Sequence, residues 1–133
     1  MIKKILIILV LAFYSLSLYS DVVVVASKKC KLDSADVKLI KNIYLGKKRG
    51  FSGIEYHKDS KERIKFSMVI FRKTPSKVNR YYLKRSLTGK GQPPKVIKDI
   101  KKLKLLLVKT PTLIAYIDEK DLDDDLKVLL KLK

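Results

Sequence analysis

The chain has 133 residues, about the size of one domain, and its 47% apolar content is sufficient for one modest hydrophobic core. Its 31 lysines and arginines oppose 13 aspartates and glutamates, which gives a formal charge of +18, so a partner selected by charge would be anionic. The single cysteine and single histidine exclude a disulfide framework and a Cys/His metal cluster. We therefore expect one compact domain without a metal or another cofactor. Because the lysines are spread from Lys3 to Lys133, most of them are expected simply to face water.

The first twenty residues have the pattern of a secretory signal peptide. Residues 1–4 are short and positively charged, and residues 5–19 form an apolar stretch that is short for a membrane span. Ser20 is a small residue suited to the cleavage position. The pattern predicts export to the periplasm, with residues 21–133 as the mature domain and no stable membrane span after cleavage; a retained N-terminal anchor is the alternative. Because an exported protein rarely meets chromosomal DNA or structured RNA, nucleic acid is not an expected partner.

The mature chain is predicted to alternate between strands and helices. Residues 21–26 are a continuous β-branched run, typical of a strand that is buried on both faces. Residues 54–57, 113–117 and 126–130 are further strand candidates, the last two separated by an acidic loop at residues 118–125. The pattern predicts an α/β domain.

Four helices are predicted between these strands. The first begins after the capping side chains of Asp33 and Ser34, with Asp36 in its first turn; the others begin near Asp59 or Ser60, at Thr74-Pro75, and at Asp99. The expected buried faces are Val37, Ile40, Ile43 and Tyr44 in the first helix; Ile64, Met68 and Phe71 in the second; Val78, Tyr81, Tyr82 and Leu83 in the third; and Leu103, Leu106 and Leu107 in the fourth.

Five local patterns occur in a characteristic order along residues 21–133. They are the strand run at residues 22–26, I-Y-L-G-K at residues 43–47, S-x-x-R-x-x-F at residues 60–66, L-T-G-K-G with a following proline at residues 87–94, and T-P-x-x-I-A-Y at residues 110–116. With these patterns the chain resembles the small phosphate-transporter substrate-binding-like proteins. The resemblance implies a single lobe of a type II periplasmic-binding-protein-like fold, in which a mixed sheet is flanked by about four helices.

The second helix provides a candidate anion site at Ser60, Lys61 and Arg63. A helix that begins near Ser60 would direct free backbone N–H groups and its positive dipole end at an anion. If Asp59 is the cap instead, its carboxylate occupies those N–H groups and repels a second anion. Where the resembled family has a G-S-G-T turn, only Ser60 matches, and the chain is too short to contain the lobe that forms the opposite wall of the cleft.

No set of residues in the sequence is typical of catalysis, so we expect a protein that is not an enzyme. The resemblance implies a solute-binding-like protein that recognises phosphate or a phosphate-bearing group weakly. An alternative is an interaction module for another envelope protein that has lost small-ligand binding, with Arg80, Tyr82 and Arg85 as the candidate contact surface. A third possibility is attachment to anionic envelope material by diffuse charge.

Overall fold

A computed structural model describes residues 21–133. The predicted signal peptide lies outside the described residues, so cleavage and export stay predictions. Within the described part of the chain, no helix is both long and apolar enough to cross a membrane.

Strands and helices alternate along the described chain. The strands are β1 Val22–Ser27, β2 Ser52–Glu55, β3 Lys95–Val96, β4 Leu113–Asp118 and β5 Leu126–Lys131. The α-helices are α1 Val37–Tyr44, α2 Lys61–Phe66, α3 Pro75–Leu87 and α4 Ile100–Lys109; a π-helical turn, Ser67–Phe71, continues α2, and a 3₁₀ turn, Glu119–Asp121, follows β4. The predicted α/β class is confirmed.

The five strands form one mixed sheet in the order β3-β2-β4-β1-β5. Strand β2 runs parallel to β3 and β4, whereas β1 runs antiparallel to β4 and β5. All six residues of β1 are buried, as the β-branched run predicts for a strand with neighbours on both edges and elements packed on both faces. The parallel arrangement brings the carboxyl ends of β2, β3 and β4 to one end of the sheet, here called the carboxyl edge. Their amino ends lie at the opposite end, the amino edge.

Capping side chains begin the helices close to the predicted positions. The carboxylates of Asp36 and Asp99 accept hydrogen bonds from the backbone N–H groups of the first turns of α1 and α4. The Thr74 hydroxyl does the same for α3, where Pro75 occupies the first helical position. Asp36 had been expected inside the first turn of α1; it lies one residue earlier, as the cap.

The predicted buried face of the second helix is wrong in two of its three residues. Ile64 and Met68 are 48% and 49% exposed, whereas Phe71 is buried as expected. The residues that do point inward include Arg63 and Phe66. The sequence pattern misses this face because it counts Arg63 as a solvent residue, although an internal ion pair with a buried carboxylate neutralises its charge.

The other helices mostly bury the residues that the periodicity selects. Buried members of the predicted faces are Ile40, Ile43 and Tyr44 in α1, Val78 and Tyr82 in α3, and Leu103 and Leu107 in α4. Val37 and Leu83 are exposed instead, and Tyr81 and Leu106 are half-buried. These four residues lie at the margins of the apolar stripes, where a sequence pattern cannot define how far the neighbouring elements extend.

Candidate functional site

The candidate anion site lies at the carboxyl edge of the sheet, where β2 ends at Glu55 and α2 begins after Ser60. Ser60, and not Asp59, is the cap of α2, which resolves the two alternatives left by the sequence. Its hydroxyl accepts a hydrogen bond from the Arg63 N–H at 3.1 Å and donates one to the His57 carbonyl at 2.9 Å. The Ser60 hydroxyl is therefore already used within the turn, and it stabilises the start of α2.

Lys61 lies on the outer side of the same turn. Its ammonium group is 2.7 Å from a carboxylate oxygen of Asp118, and the two side chains are 61% and 0% exposed, respectively. The hydrogen bond to Asp118 raises the pKa of Lys61 above its ordinary value, so Lys61 stays charged at neutral pH. The ammonium group of Lys61 therefore contacts both the solvent and a carboxylate of the protein.

Arg63 points into the protein and is only 1% exposed. Its Nε lies 2.6 Å from Oε2 of Glu55. The two terminal nitrogens donate hydrogen bonds to the Tyr56 carbonyl at 3.1 Å and to the side-chain oxygen of Asn79 at 2.6 Å. The structure therefore places Arg63 next to Ser60 in the chain but directs its guanidinium away from the solvent side of the site.

Glu55 is the centre of a buried polar cluster that the sequence analysis did not identify. The hydroxyl groups of Tyr82 and Tyr116 donate to its two carboxylate oxygens at 2.8 and 2.5 Å. The Tyr116 oxygen in turn accepts the Tyr56 N–H at 2.8 Å. Together with the Arg63 contact, these bonds join β2, β4, α2 and α3 around one buried carboxylate. The signal in the sequence is an acidic residue within an apolar strand.

Burial raises the pKa of Glu55, against the opposing effects of Arg63 and of the two tyrosine hydroxyls. Burial also raises the pKa of Tyr82 and of Tyr116, and the adjacent Glu55 carboxylate adds to both shifts. Both tyrosines therefore remain hydrogen-bond donors at neutral pH.

The surroundings of this edge are partly acidic. Burial, together with the carboxylates of Glu62, Asp121 and Asp99, raises the pKa of Tyr56 to about 12. Carboxylates that disfavour the tyrosinate anion also disfavour an incoming anion. The high net charge of the chain is therefore not concentrated at the candidate site.

The three candidate surface residues of α3 do not form one surface. Arg80 is exposed, but Tyr82 is 5% exposed and donates to Glu55, so its side chain is not available to a partner. Arg85 is half-buried, and its guanidinium donates to the carbonyls of Leu45 and Lys90 at 3.0 and 3.2 Å. A contact role for Arg80 and Arg85 stays a prediction.

No protein-family model and no curated protein matches the sequence. Solved structures do resemble the fold. An ABC-type phosphate transport receptor from Vibrio cholerae superposes with a TM-score of 0.63 at 12% identity, over 83% of this chain and 45% of the receptor. A protein described as a phosphate ABC transporter substrate-binding protein with bound phosphate, from Clostridium perfringens, gives 0.64 at 15% identity, over 83% and 44%. PstS from Borrelia burgdorferi gives 0.57 at 14% identity, over 83% and 46%.

The chain spans less than half the length of each of these three proteins. At such low identities the likeness concerns the fold alone, and it agrees with the resemblance found in the sequence motifs. The described chain has the fold of a single lobe of the phosphate transporter substrate-binding proteins.

Proposed function

We propose that this protein is an exported, non-enzymatic, solute-binding-like module that contacts phosphate or a phosphate-bearing group weakly at the start of α2. The observation that carries the proposal is the position of Ser60, which caps α2 just beyond the carboxyl end of β2. Ligands of open α/β sheets bind outside the carboxyl ends of the strands, and backbone N–H groups at helix starts favour anions. The fold is shared with a protein that holds bound phosphate.

The contact is weak because few groups remain for the ligand. The backbone N–H groups of Lys61 and Glu62 donate no hydrogen bond within the described residues. Lys61 adds a charge that it shares with Asp118, whereas Arg63 is committed to Glu55. Because residues 21–133 provide one wall only, a bound anion faces water, where charge-assisted contacts are screened. We therefore expect a dissociation constant on the order of millimolar for inorganic phosphate, equivalent to about 4 kcal/mol of binding free energy.

Titration of the ¹⁵N-labelled protein with inorganic phosphate tests this site. We expect saturable shifts of the amides of residues 60–63, and a dissociation constant about two- to fivefold higher in Lys61→Ala, because one exposed charge contributes up to about 1 kcal/mol. Lys65→Ala, which removes an exposed lysine of the same helix, is the matched control and should leave the constant unchanged. Absence of shifts at these amides at tens of millimolar phosphate, or equal weakening by both variants, would contradict the proposal.

A second candidate function, docking to another envelope protein, is favoured by the exposure of Ile64 and Met68. Four residues apart on the continuous α2 and π-helical segment, both leave about half of their apolar surface in water. We expect Met68→Asp to abolish capture of a partner from an envelope extract while the melting temperature stays the same, because the side chain contributes little to the core. Lys65→Asp, an exposed substitution on the same segment, is the control. Capture that survives Met68→Asp would contradict docking through this surface. If added salt then abolishes capture by Met68→Asp and by Lys65→Asp alike, the attraction is due to diffuse charge.

A further inference from the structure

The amino edge of the sheet, opposite the Ser60 site, contains an open cavity of about 500 Å³. It lies where β2 and β4 begin and is closed at the sides by the carboxyl-terminal ends of α1 and α4 and by the loop before β3. This volume lies within the range of about 300–1,000 Å³ that is typical of small-molecule sites. The cavity shares no residue with the site at the start of α2.

The floor of the cavity is apolar. Phe51, Leu106 and Leu113 line it, and each is only half-buried in the absence of a ligand. Polar side chains from Gln92 and Thr110 stand at the margin. An aromatic or short aliphatic group that covers the floor would remove this apolar surface from water, which is favourable at roughly 25 cal/mol per Å².

An internal contact holds the two sides of the cavity together. The Arg85 guanidinium donates one hydrogen bond to the Leu45 carbonyl, at the end of α1, and another to the Lys90 carbonyl, in the loop before β3. Because a single planar group links both segments, the opening between them is formed before any ligand arrives.

Lys95 is the only charged side chain among the residues that line the cavity. The three segments that meet there, residues 46–53, 88–95 and 106–113, contain no aspartate or glutamate. Their cations are Lys47, Lys48, Arg49, Lys90, Lys95 and Lys109. None of these six forms an ion pair within residues 21–133, in contrast to Lys61 and Lys131 at the carboxyl edge.

The helix dipoles oppose this positive potential but do not cancel it. Helices α1 and α4 both end at this edge, and each carboxyl terminus carries a partial charge of about −0.5, so that together they amount to about one negative charge. Lys95 offsets about this charge, and the five other cations of the three segments add to it. We expect the opening to attract anions, and the apolar floor also requires an apolar group in the ligand.

We propose that this cavity binds a small amphiphilic anion, a molecule with an aromatic or short aliphatic body and one carboxylate, sulfonate or phosphate group. The body covers Phe51, Leu106 and Leu113, and the charged group remains at the rim beside Lys95, which itself lines the opening. The charge pattern excludes cationic amphiphiles, and the apolar floor selects against small hydrophilic anions.

A set of three probes separates the two parts of this recognition: 2-naphthoate has both the body and the charge, acetate has the charge alone, and 2-naphthylmethylammonium has the body with the opposite charge. We expect 2-naphthoate alone to give saturable amide shifts at Ser52, Gln92 and Thr110. Lys95→Glu should raise its dissociation constant about three- to tenfold, because reversal of one partly screened charge at the rim opposes the anion. Lys77→Glu, an exposed lysine in the first turn of α3, is the charge-matched control and should have no effect.

Three results would overturn the proposal: equal binding of 2-naphthylmethylammonium, shifts confined to other parts of the protein, or equal weakening by Lys95→Glu and Lys77→Glu. A fourth concerns membranes. If phosphatidylglycerol vesicles bind the protein through Lys95 while 2-naphthoate gives no shifts, the edge is a membrane contact and not a small-molecule site. Because phosphate at the start of α2 is measured at different amides, failure of either site leaves the other intact.

Discussion

Replacement of Arg63 by methionine is expected to destabilise the folded chain by about 3–5 kcal/mol, because it leaves the buried Glu55 carboxylate without its cationic partner. Methionine retains much of the apolar volume of the arginine side chain, so the loss reflects charge more than packing. Urea unfolding followed by circular dichroism measures the difference. Arg80→Met, at an exposed arginine of α3, is the matched control and should change the free energy of unfolding by less than about 0.5 kcal/mol.

The loss of folding stability in Arg63→Met should depend on pH in a defined direction. Burial already raises the pKa of Glu55, and loss of Arg63 removes the largest opposing effect, so the folded-state pKa rises further above the unfolded value. A carboxyl group with a raised folded-state pKa favours the fold below its unfolded pKa, and this contribution disappears as the pH rises through the folded-state value. We therefore expect the deficit of Arg63→Met to be smaller near pH 5 than near pH 8.

The double variant Glu55→Gln, Arg63→Met shows whether charge causes the loss. The side-chain oxygen of a neutral glutamine can accept a hydrogen bond from one of the two tyrosines, and no buried charge remains, so we expect the double variant to be more stable than Arg63→Met alone. A double variant that is less stable, or a deficit of Arg63→Met that does not change with pH, would contradict the role assigned to the Glu55 charge.

Gly53→Ala is expected to destabilise the protein by about 1–3 kcal/mol through steric overlap. A Cβ atom at this position in β2 would lie 2.5 to 2.7 Å from three ring atoms of Tyr44. The ring cannot move away easily, because its hydroxyl donates to the Ile54 carbonyl at 2.7 Å and lies 3.3 Å from the Ile114 carbonyl. Phe66 also packs against this ring, with the two ring centroids 4.7 Å apart.

A comparison of the melting temperatures of Gly53→Ala and Ser52→Ala tests this contact. Ser52 is the exposed neighbour in the same strand, so its substitution should have little effect. Combined with Tyr44→Leu, which removes the ring, Gly53→Ala should cost clearly less than it does in the wild-type chain. Additive losses in this cycle, or an unchanged melting temperature in the single variant, would show that the strand accommodates the methyl group.

The two proposed sites lie at opposite ends of the sheet and depend on different residues. The motifs predict a receptor-lobe fold, which the structural neighbours confirm. Phosphate contact at the carboxyl edge rests on Ser60 and Lys61, and it is limited by the withdrawal of Arg63. The cavity at the amino edge is lined in part by three of the five motifs, at residues 43–47, 87–94 and 110–116, and its proposal rests on its apolar floor and on Lys95. Both edges can be tested in the same labelled protein.

Features that depend on local chemistry were predictable from the amino-acid sequence alone. The β-branched run became β1, and Thr74-Pro75 and Asp99 begin helices where their capping chemistry predicts. These signals act within a few residues, so they can be interpreted without knowledge of the neighbours.

Which side of α2 faces the core depends on contacts between separate elements. Periodicity selected Ile64 and Met68 because they are apolar, but the fold buries Arg63 instead, since Glu55 from β2 compensates its charge. Such a pair joins residues from separate elements, and no local pattern specifies their contact. The same limitation applies to the amino edge: the three acid-free segments are separated in the sequence, and the sheet brings them together around one cavity. Charge composition was thus evident from the sequence, whereas charge placement required the fold.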